Sequence, residues 1–228
     1  MKNFSLYLIL FVIFNGEFML AETINIDFGR NKWQQDDWQE IRNPRFDYPG
    51  VMIQMDDHIV NKTPDVSAKE VFEKYCNKVF SSMMMKRKFK ADKVIISSEM
   101  SFDYSMAPLI VIAEKFGSNR EGLPEFREHY EMVLYNEGIN IWRYSYNNGK
   151  LAWELAAYVK REFLPHKRYV LKVTVEKFQD TRQIRVECDG VEVGFWDKNL
   201  PEELYAGITG CEGRNRFYNF KVEMVNKK

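Results

Sequence analysis

The sequence contains little cysteine, little histidine and no excess of either charge, and these shortages exclude several classes of protein. The three histidines, His58, His129 and His166, are far apart, and no His or Cys spacing resembles a zinc site. Lysine plus arginine and aspartate plus glutamate each total 33. A neutral chain has no electrostatic footprint for the phosphate backbone of nucleic acid, so we expect no nucleic-acid partner.

The three cysteines, Cys76, Cys188 and Cys211, limit covalent cross-linking. An odd number leaves at least one thiol unpaired, even in an exported chain where disulfides form. A bridge between Cys188 and Cys211 stays open at this stage, because disulfide geometry is too specific to be judged from sequence.

No linker rich in Pro, Gly or Ser, no low-complexity segment and no repeat divides the chain. The N-terminus carries Lys2, an apolar run over Phe4–Phe14 and the small residue Ala21. This pattern predicts a secretory signal peptide over residues 1–21. An uncleaved anchor is the alternative, but the eleven-residue run is shorter than the about 20 residues that span a bilayer. We therefore expect a secreted or periplasmic protein with a single domain over residues 22–228 and no membrane insertion after signal removal.

Beyond residue 83 the sequence alternates short β-type segments with turn signals and shows no helical periods. Such spacing is typical of an all-β sandwich or barrel. Asp189-Gly190 and Asn148-Gly149 predict two tight hairpins. Ser67 and Glu70 form a capping box before apolar residues at helical spacing, which predicts one helix. The expected fold is a two-sheet antiparallel β-sandwich with one short flanking helix.

The two middle hairpins allow the strand faces to be assigned. A two-residue turn at Asn148-Gly149 pairs Arg143 with Glu154, and a three-residue turn at 136–138, with Gly138 left-handed, pairs Glu131 with Arg143. These turns predict an aromatic core face and a polar face. The core face would carry Tyr130, Met132, Leu134, Trp142, Tyr144, Trp153 and Leu155, and the polar face His129, Glu131, Tyr135, Arg143, Glu154 and Tyr158.

The row Glu131–Arg143–Glu154 allows two interpretations. It can be a cross-strand ion-pair ladder on a solvated face, or the floor of a sugar site. Paired carboxylates carry out glycoside hydrolysis, so Glu131 and Glu154 are the first catalytic candidates. An arginine between two carboxylates holds both ionised, which favours binding over hydrolysis. The substrate-binding candidates are Arg143, His129, Tyr135 and Tyr158.

A second pair of carboxylates, Glu99 and Asp103, flanks Ser101 in a predicted strand. Alternation with a period of two places these three side chains on one face, with Met100 and Phe102 on the other. The set fits an ordinary half-exposed strand as well as a catalytic site. Glu99 and Asp103 complete the catalytic candidates.

The last third of the chain has a recognisable order of strands. Lys172–Val175 leads to an Asp-Gly hairpin within Val186–Val193, then to Tyr205–Ile208 and a final Phe217–Val222. This order resembles the concanavalin A-like lectin/glucanase superfamily, including exported members classed as glycosyl hydrolases. The resemblance implies a jelly-roll sandwich whose concave face binds glycans.

Two features of that superfamily, a catalytic signature and a bound Ca²⁺ ion, are not predicted from this sequence. The Glu-x-Asp-x-x-Glu signature of its retaining glucanases is absent, since Ser101 stands where the pattern needs Asp. A Ca²⁺ ion is common in the superfamily, but no acidic loop here compels one. No metal or other cofactor is predicted.

The leading hypothesis is an exported protein that recognises or processes a poly- or oligosaccharide. The fold hosts both hydrolases and binding modules, so the sequence leaves enzymatic activity open. The alternative is a non-catalytic structural or protein-interaction sandwich at the cell envelope. Apolar rather than polar residues over the concave face would favour that alternative.

Overall fold

A computed structural model describes residues 8–14, 17–45, 50–105, 107–147 and 150–226. The predicted signal segment, residues 1–21, lies partly outside these ranges, and the predicted turn Asn148-Gly149 lies entirely outside them. None of the helices in the described ranges has the length and apolar character needed to cross a membrane.

The described residues lie mostly in strands, with one short α-helix between the fifth and the sixth strand. The strands before the helix are β1 (Leu8–Phe14), β2 (Glu17–Asp27), β3 (Trp38–Glu40), β4 (Met52–Gln54) and β5 (Ile59–Asn61). Helix α1 spans Ala68–Tyr75, and short 3₁₀ turns lie at Gln35–Asp37 and Cys76–Lys78. The next strands are β6 (Phe80–Met85), β7 (Phe89–Lys90), β8 (Lys93–Phe102), β9 (Ala107–Ala113), β10 (Phe116–Ser118), β11 (Pro124–Phe126), β12 (His129–Tyr135), β13 (Gly138–Asn147) and β14 (Lys150–Lys160). The last are β15 (Tyr169–Phe178), β16 (Thr181–Cys188), β17 (Val191–Asp197), β18 (Glu203–Cys211), β19 (Asn215–Phe217) and β20 (Asn219–Asn226).

These strands form two large antiparallel sheets. The front sheet has the order β14-β13-β12-β9-β18-β6-β3, with β7 paired to β18. The back sheet has the order β1-β2-β20-β8-β15-β16-β17, and β19, β5 and β4 extend it from β8. The hairpin β10–β11 stands apart. The predicted fold class, a two-sheet antiparallel sandwich with one short helix, is confirmed.

Apolar side chains are buried on both faces of the front sheet. On its inward face, Ile110 and Met132 belong to the same buried cluster as Ile96 and Val173 of the back sheet. A second cluster lies on the outward face, beneath the hairpin β10–β11 and the chain around Ile41. Its buried members are Ile41, Phe80, Met84, Ala107, Leu109, Val111, Ala113, Phe126, Val133 and Cys211. The outward face is most exposed on β14, where Trp153, Leu155 and Tyr158 reach solvent.

The turn between β12 and β13 differs from the prediction. It contains only residues 136 and 137, so Tyr135 pairs with Gly138. Gly138 is the first residue of β13 and has no left-handed φ. A Cβ at this position would lie 2.2 Å from the carbonyl oxygen of Val159. The glycine is therefore needed for close approach of β14, not for the turn.

The shorter turn makes the predicted row Glu131–Arg143–Glu154 wrong. A change of one residue in register moves every side chain of a strand to the other face. Glu131 lies opposite Trp142 on the outward face, whereas Arg143 lies opposite Tyr130 on the inward face. Arg143 does pair with Glu154, with 3.3 Å between Nη1 and Oε1. Trp142, Tyr144 and Trp153, predicted as core, lie instead on the outward face.

The predicted pairing of β13 with β14 is confirmed up to Trp142, which lies opposite Leu155. The register then shifts by a bulge that leaves Ala156 without an opposite residue. A bulge changes the face on which later side chains lie. Tyr158 consequently lies opposite Asn140 on the outward face, rather than opposite Ile139 as the prediction required.

Local signals elsewhere match the structure more closely. The Ser67 hydroxyl accepts a hydrogen bond from the Glu70 amide at 3.3 Å, as the capping box predicts. Asp189 and Gly190 both have positive φ, 48° and 81°, as a tight hairpin of this type requires. Two predicted strands are each split in two, Met83–Phe89 into β6 and β7 and Arg216–Val225 into β19 and β20.

The cysteines are not bridged. Cys188 belongs to the core between the sheets, whereas Cys211 belongs to the cluster on the outward face of the front sheet. Burial raises the pKa of the Cys188 thiol to about 12, and burial likewise raises that of Cys211. Both side chains therefore stay protonated and unreactive near neutral pH.

Candidate functional site

A groove of about 470 Å³ lies on the open part of the front sheet's outward face. Its floor comes from alternate residues of β12, β13 and β14, which share one face. Arg45 and Glu212, which follows β18, line one end of the groove, and Phe72 of α1 also borders it. The floor residues are Glu131, Val133, Tyr135, Asn140, Trp142 and Trp153.

A row of four stacked rings crosses the strands at this end of the groove. Phe126, His129, Tyr144 and Trp153 have successive centroid separations of 4.6, 4.2 and 6.5 Å. The row forms because His129, Tyr144 and Trp153 lie directly opposite one another on β12, β13 and β14. The first three rings are buried, whereas Trp153 is 51% exposed. The row thus presents one aromatic face to solvent on a rigid support.

Glu131 is a buried carboxylate surrounded by donors. The Asn43 amide lies 3.4 Å from Oε1, and the Tyr144 hydroxyl hydrogen-bonds to the same carboxylate. Tyr144 in turn accepts a hydrogen bond from Arg45 Nη1 at 2.6 Å. Burial raises the pKa of Tyr144, and the charge of Glu131 raises it further, so the hydroxyl keeps its proton.

His129 also belongs to this network, because its ring contacts Glu131. Its Nδ1 lies 2.7 Å from the carbonyl oxygen of Arg127, and a carbonyl only accepts, so Nδ1 carries a hydrogen. Nε2 then faces Glu131 Oε1 at 3.4 Å. His129 is fully buried, so it can orient Glu131 but does not reach the groove surface.

Glu212 is a second carboxylate in the groove, near Arg45. It has a positive φ of 63°, which is uncommon for a residue other than glycine. Burial raises its pKa, the charge of Glu131 adds to the rise, and Arg45 opposes it. Strained backbone and perturbed carboxylates concentrate at functional sites. Neither Glu212 nor Arg45 was predicted from the sequence, since only long-range folding brings them to β12.

Tyr135 and Asn140 line the groove near the turn between β12 and β13, and Tyr158 lies next to Asn140 on the same face of the sheet. Tyr135 forms a side-chain hydrogen bond with Asn140, and burial raises its pKa, with the charge of Glu137 adding to the rise. Tyr158 lies opposite Asn140 on the edge strand and is 64% exposed. The predicted binding residues Tyr135 and Tyr158 thus lie on the groove's face, together with Glu131 and the buried His129.

The remaining predicted site residues lie elsewhere. Arg143 and Glu154 are on the inward face, where Arg143 Nε lies 3.3 Å from Asp197 of the back sheet. Glu99 and Asp103 are on the outward face of the back sheet, as the alternation predicted. Asp103 accepts from Arg216 at 2.6 Å and lies 3.0 Å from His166 Nδ1, and Glu99 lies 3.9 Å from Arg168. The four catalytic candidates therefore occupy three different surfaces.

The groove combines what a sugar ligand requires. An exposed ring can stack on the apolar face of a sugar, while fixed carboxylate, amide and guanidinium groups can bind its hydroxyls. Within the described ranges no three His, Cys, Asp or Glu side chains come together as a metal site.

Comparison with known proteins gives structural matches only. Neither a family model nor a curated protein matches the sequence. The carbohydrate-binding module CBM66 from Bacillus subtilis superposes with a TM-score of 0.51 at 12% identity, over 84% of this chain and 95% of that one. Peanut lectin with a 9mer peptide gives 0.52 at 9% identity, over 91% and 99%. The VIP36 exoplasmic/lumenal domain in its Ca²⁺/Man3GlcNAc-bound form gives 0.51 at 11%, over 87% and 86%.

These likenesses, at low identity, define the fold. The chain is a concanavalin A-like jelly roll, which confirms the fold that the C-terminal strand order resembled.

Proposed function

We propose that this protein is an exported glycan-binding protein that holds a poly- or oligosaccharide in the groove of the front sheet. The observation that carries the proposal is the position of Trp153. Its exposed ring ends a stacked row and borders the same groove as Glu131 and Arg45. The Arg45 guanidinium lies 5.3 Å from the Trp153 ring centroid and 6.0 Å from that of Tyr144, so it contacts the exposed end of the row.

Two further observations support a sugar ligand. The polar groups of the groove are fixed by one another, through Arg45, Tyr144 and Glu131, so little side-chain entropy is lost on binding. In addition, structures with the same fold include proteins named as carbohydrate-binding modules and lectins. A purely structural role is less well supported, because the groove mixes aromatic with polar side chains instead of presenting an apolar surface.

Binding is favoured over hydrolysis. Glycoside hydrolysis needs two carboxyl groups, roughly 5–9.5 Å apart, on either side of one bond. Glu154, Glu99 and Asp103 do not share a surface with Glu131. Hydrolysis remains the second candidate because Glu212 lines the same groove as Glu131 and has a raised pKa.

The test compares two exposed tryptophans. Trp153→Ala removes the ring in the groove, and Trp196→Ala removes a similarly exposed ring on the back sheet. On a glycan array and by calorimetry, the first variant should lose at least about tenfold in affinity, since aromatic anchors dominate binding energy. The second should bind like the wild type.

A reducing-sugar assay on the same samples separates binding from hydrolysis. We expect no release of reducing ends from the glycans that bind. Equal binding by both tryptophan variants would contradict the groove as the site, and turnover that is lost in Glu212→Gln would establish hydrolysis.

A further inference from the structure

We propose that the glycan lies along the edge strand β14, from Trp153 to Tyr158, so that the site takes a chain of sugars rather than one terminal residue. This inference rests on the proposed function. It begins from the position of β14 at the end of the front sheet, where the described chain pairs it with β13 alone. The groove is therefore open on that side, and a long ligand can leave it there.

The outward face of β14 carries exposed apolar side chains. Trp153, Leu155 and Tyr158 are 51%, 42% and 64% exposed. The bulge at Ala156 is responsible for this set, because regular alternation from Leu155 would turn Tyr158 inward. Bulges that re-aim a side chain are typical of functional edges, and clustered exposed apolar groups are typical of interaction sites.

The distance between the two aromatic side chains sets the ligand size. Five residues of strand span about 16 Å at about 3.3 Å per residue, and the bulge shortens this slightly. A single sugar ring cannot contact both Trp153 and Tyr158 over such a distance. Asn140 lies opposite Tyr158 and hydrogen-bonds to Tyr135, so polar groups for sugar hydroxyls also continue to this end.

A glycan chain fits this edge better than a β-strand from another protein. The edge carries the exposed charged residues Lys150, Glu154 and Lys160. Charged side chains on an edge strand oppose pairing with a further strand. The exposed rings also project from the face of the sheet, where sugars can stack, and not along the line of edge hydrogen bonds.

The experiment measures affinity against chain length. The probes are the monosaccharide through the hexasaccharide cut from the polysaccharide that binds most strongly on the array, measured by calorimetry. Wild-type affinity should rise at least about tenfold from the shortest to the longer probes. Tyr158→Ala should remove that gain with chain length, while Trp196→Ala should keep the length dependence of the wild type.

The outcomes of this experiment distinguish the extended site from the proposed glycan-binding function on which it rests. If no probe binds at any length, the proposed function fails. If the monosaccharide binds as tightly as the hexasaccharide, the glycan-binding function stands and the extended site is wrong. A change in self-association of Tyr158→Ala in sedimentation, with an unaltered length dependence, would also overturn the inference and assign the edge to contacts between copies.

Discussion

Replacing Arg143 with alanine tests the observed register directly. If Arg143 lay on the polar face beside Glu131, as the sequence predicts, its loss would weaken glycan binding and spare folding. In the structure Arg143 points between the sheets, where Nε lies 3.3 Å from Asp197 Oδ2 and Nη1 lies 3.3 Å from Glu154 Oε1. We therefore expect the opposite result, a loss of stability with binding retained.

The expected loss of stability in Arg143→Ala can be worked out from the contacts that Asp197 keeps after the substitution. The Asp197 side chain is only 7% exposed. Without Arg143 it keeps the Tyr130 hydroxyl at 2.8 Å and the Asn199 amide at 2.8 Å but loses its charged partner. Removing the charged partner of a largely buried carboxylate that keeps its other hydrogen bonds costs about 1–3 kcal/mol. The exposed pair with Glu154 adds at most about 1 kcal/mol. For a chain of this size, each kcal/mol lowers the melting temperature by about 2–4 °C.

Thermal or urea unfolding of the mature protein provides the measurement, with glycan affinity measured in parallel. Glu154→Gln is the matched control, since it removes only the exposed partner and should shift stability by less than about 1 kcal/mol. A double-mutant cycle with Asp197→Asn should show that Arg143 and Asp197 are coupled. Wild-type stability in Arg143→Ala, combined with lost glycan binding, would refute the observed register and restore the predicted one.

Two further predictions concern the thiols and the N-terminus. A thiol reagent applied to the native protein should label Cys76 alone, because burial keeps Cys188 and Cys211 protonated. The unfolded protein should give three reactive thiols without prior reduction, and a single thiol after unfolding would indicate a bridge. Mass spectrometry of protein from its native host should show a chain that begins near Glu22, and a retained Met1 would contradict the signal peptide.

The fold class could be predicted because its signals are local and agree with one another. Period-two alternation, the Asp189-Gly190 hairpin and the Ser67 cap each act over a few residues. These local signals do not depend on which distant strands pair with the segment. Element boundaries were less secure, since the segment predicted as Arg216–Val225 is interrupted between Phe217 and Asn219 as its pairing changes.

The site could be predicted only in part, because it depends on one turn length. Both faces of β13 carry apolar residues. Trp142 lies on the outward face, and Ile141 lies on the inward face together with the charged Arg143. The expectation that polar and apolar faces separate cleanly favoured the three-residue turn, and it was wrong here. Gly138 favoured the longer turn, although it serves close packing against Val159. Arg45 and Glu212 had no signal at all, since they enter the groove from distant segments.

The register also explains why charged residues are stable on both faces of the same hairpin. Outward-facing Glu131 receives donors from Asn43 and Tyr144, and inward-facing Arg143 has Asp197 from the opposite sheet. A one-residue lengthening of the turn would turn Glu131 or Arg143 away from these partners and leave a buried charge unpaired, at a cost of several kcal/mol. The two networks thus stabilise the two-residue turn, and this turn places Trp142 and Tyr144 on the sheet face that carries the groove.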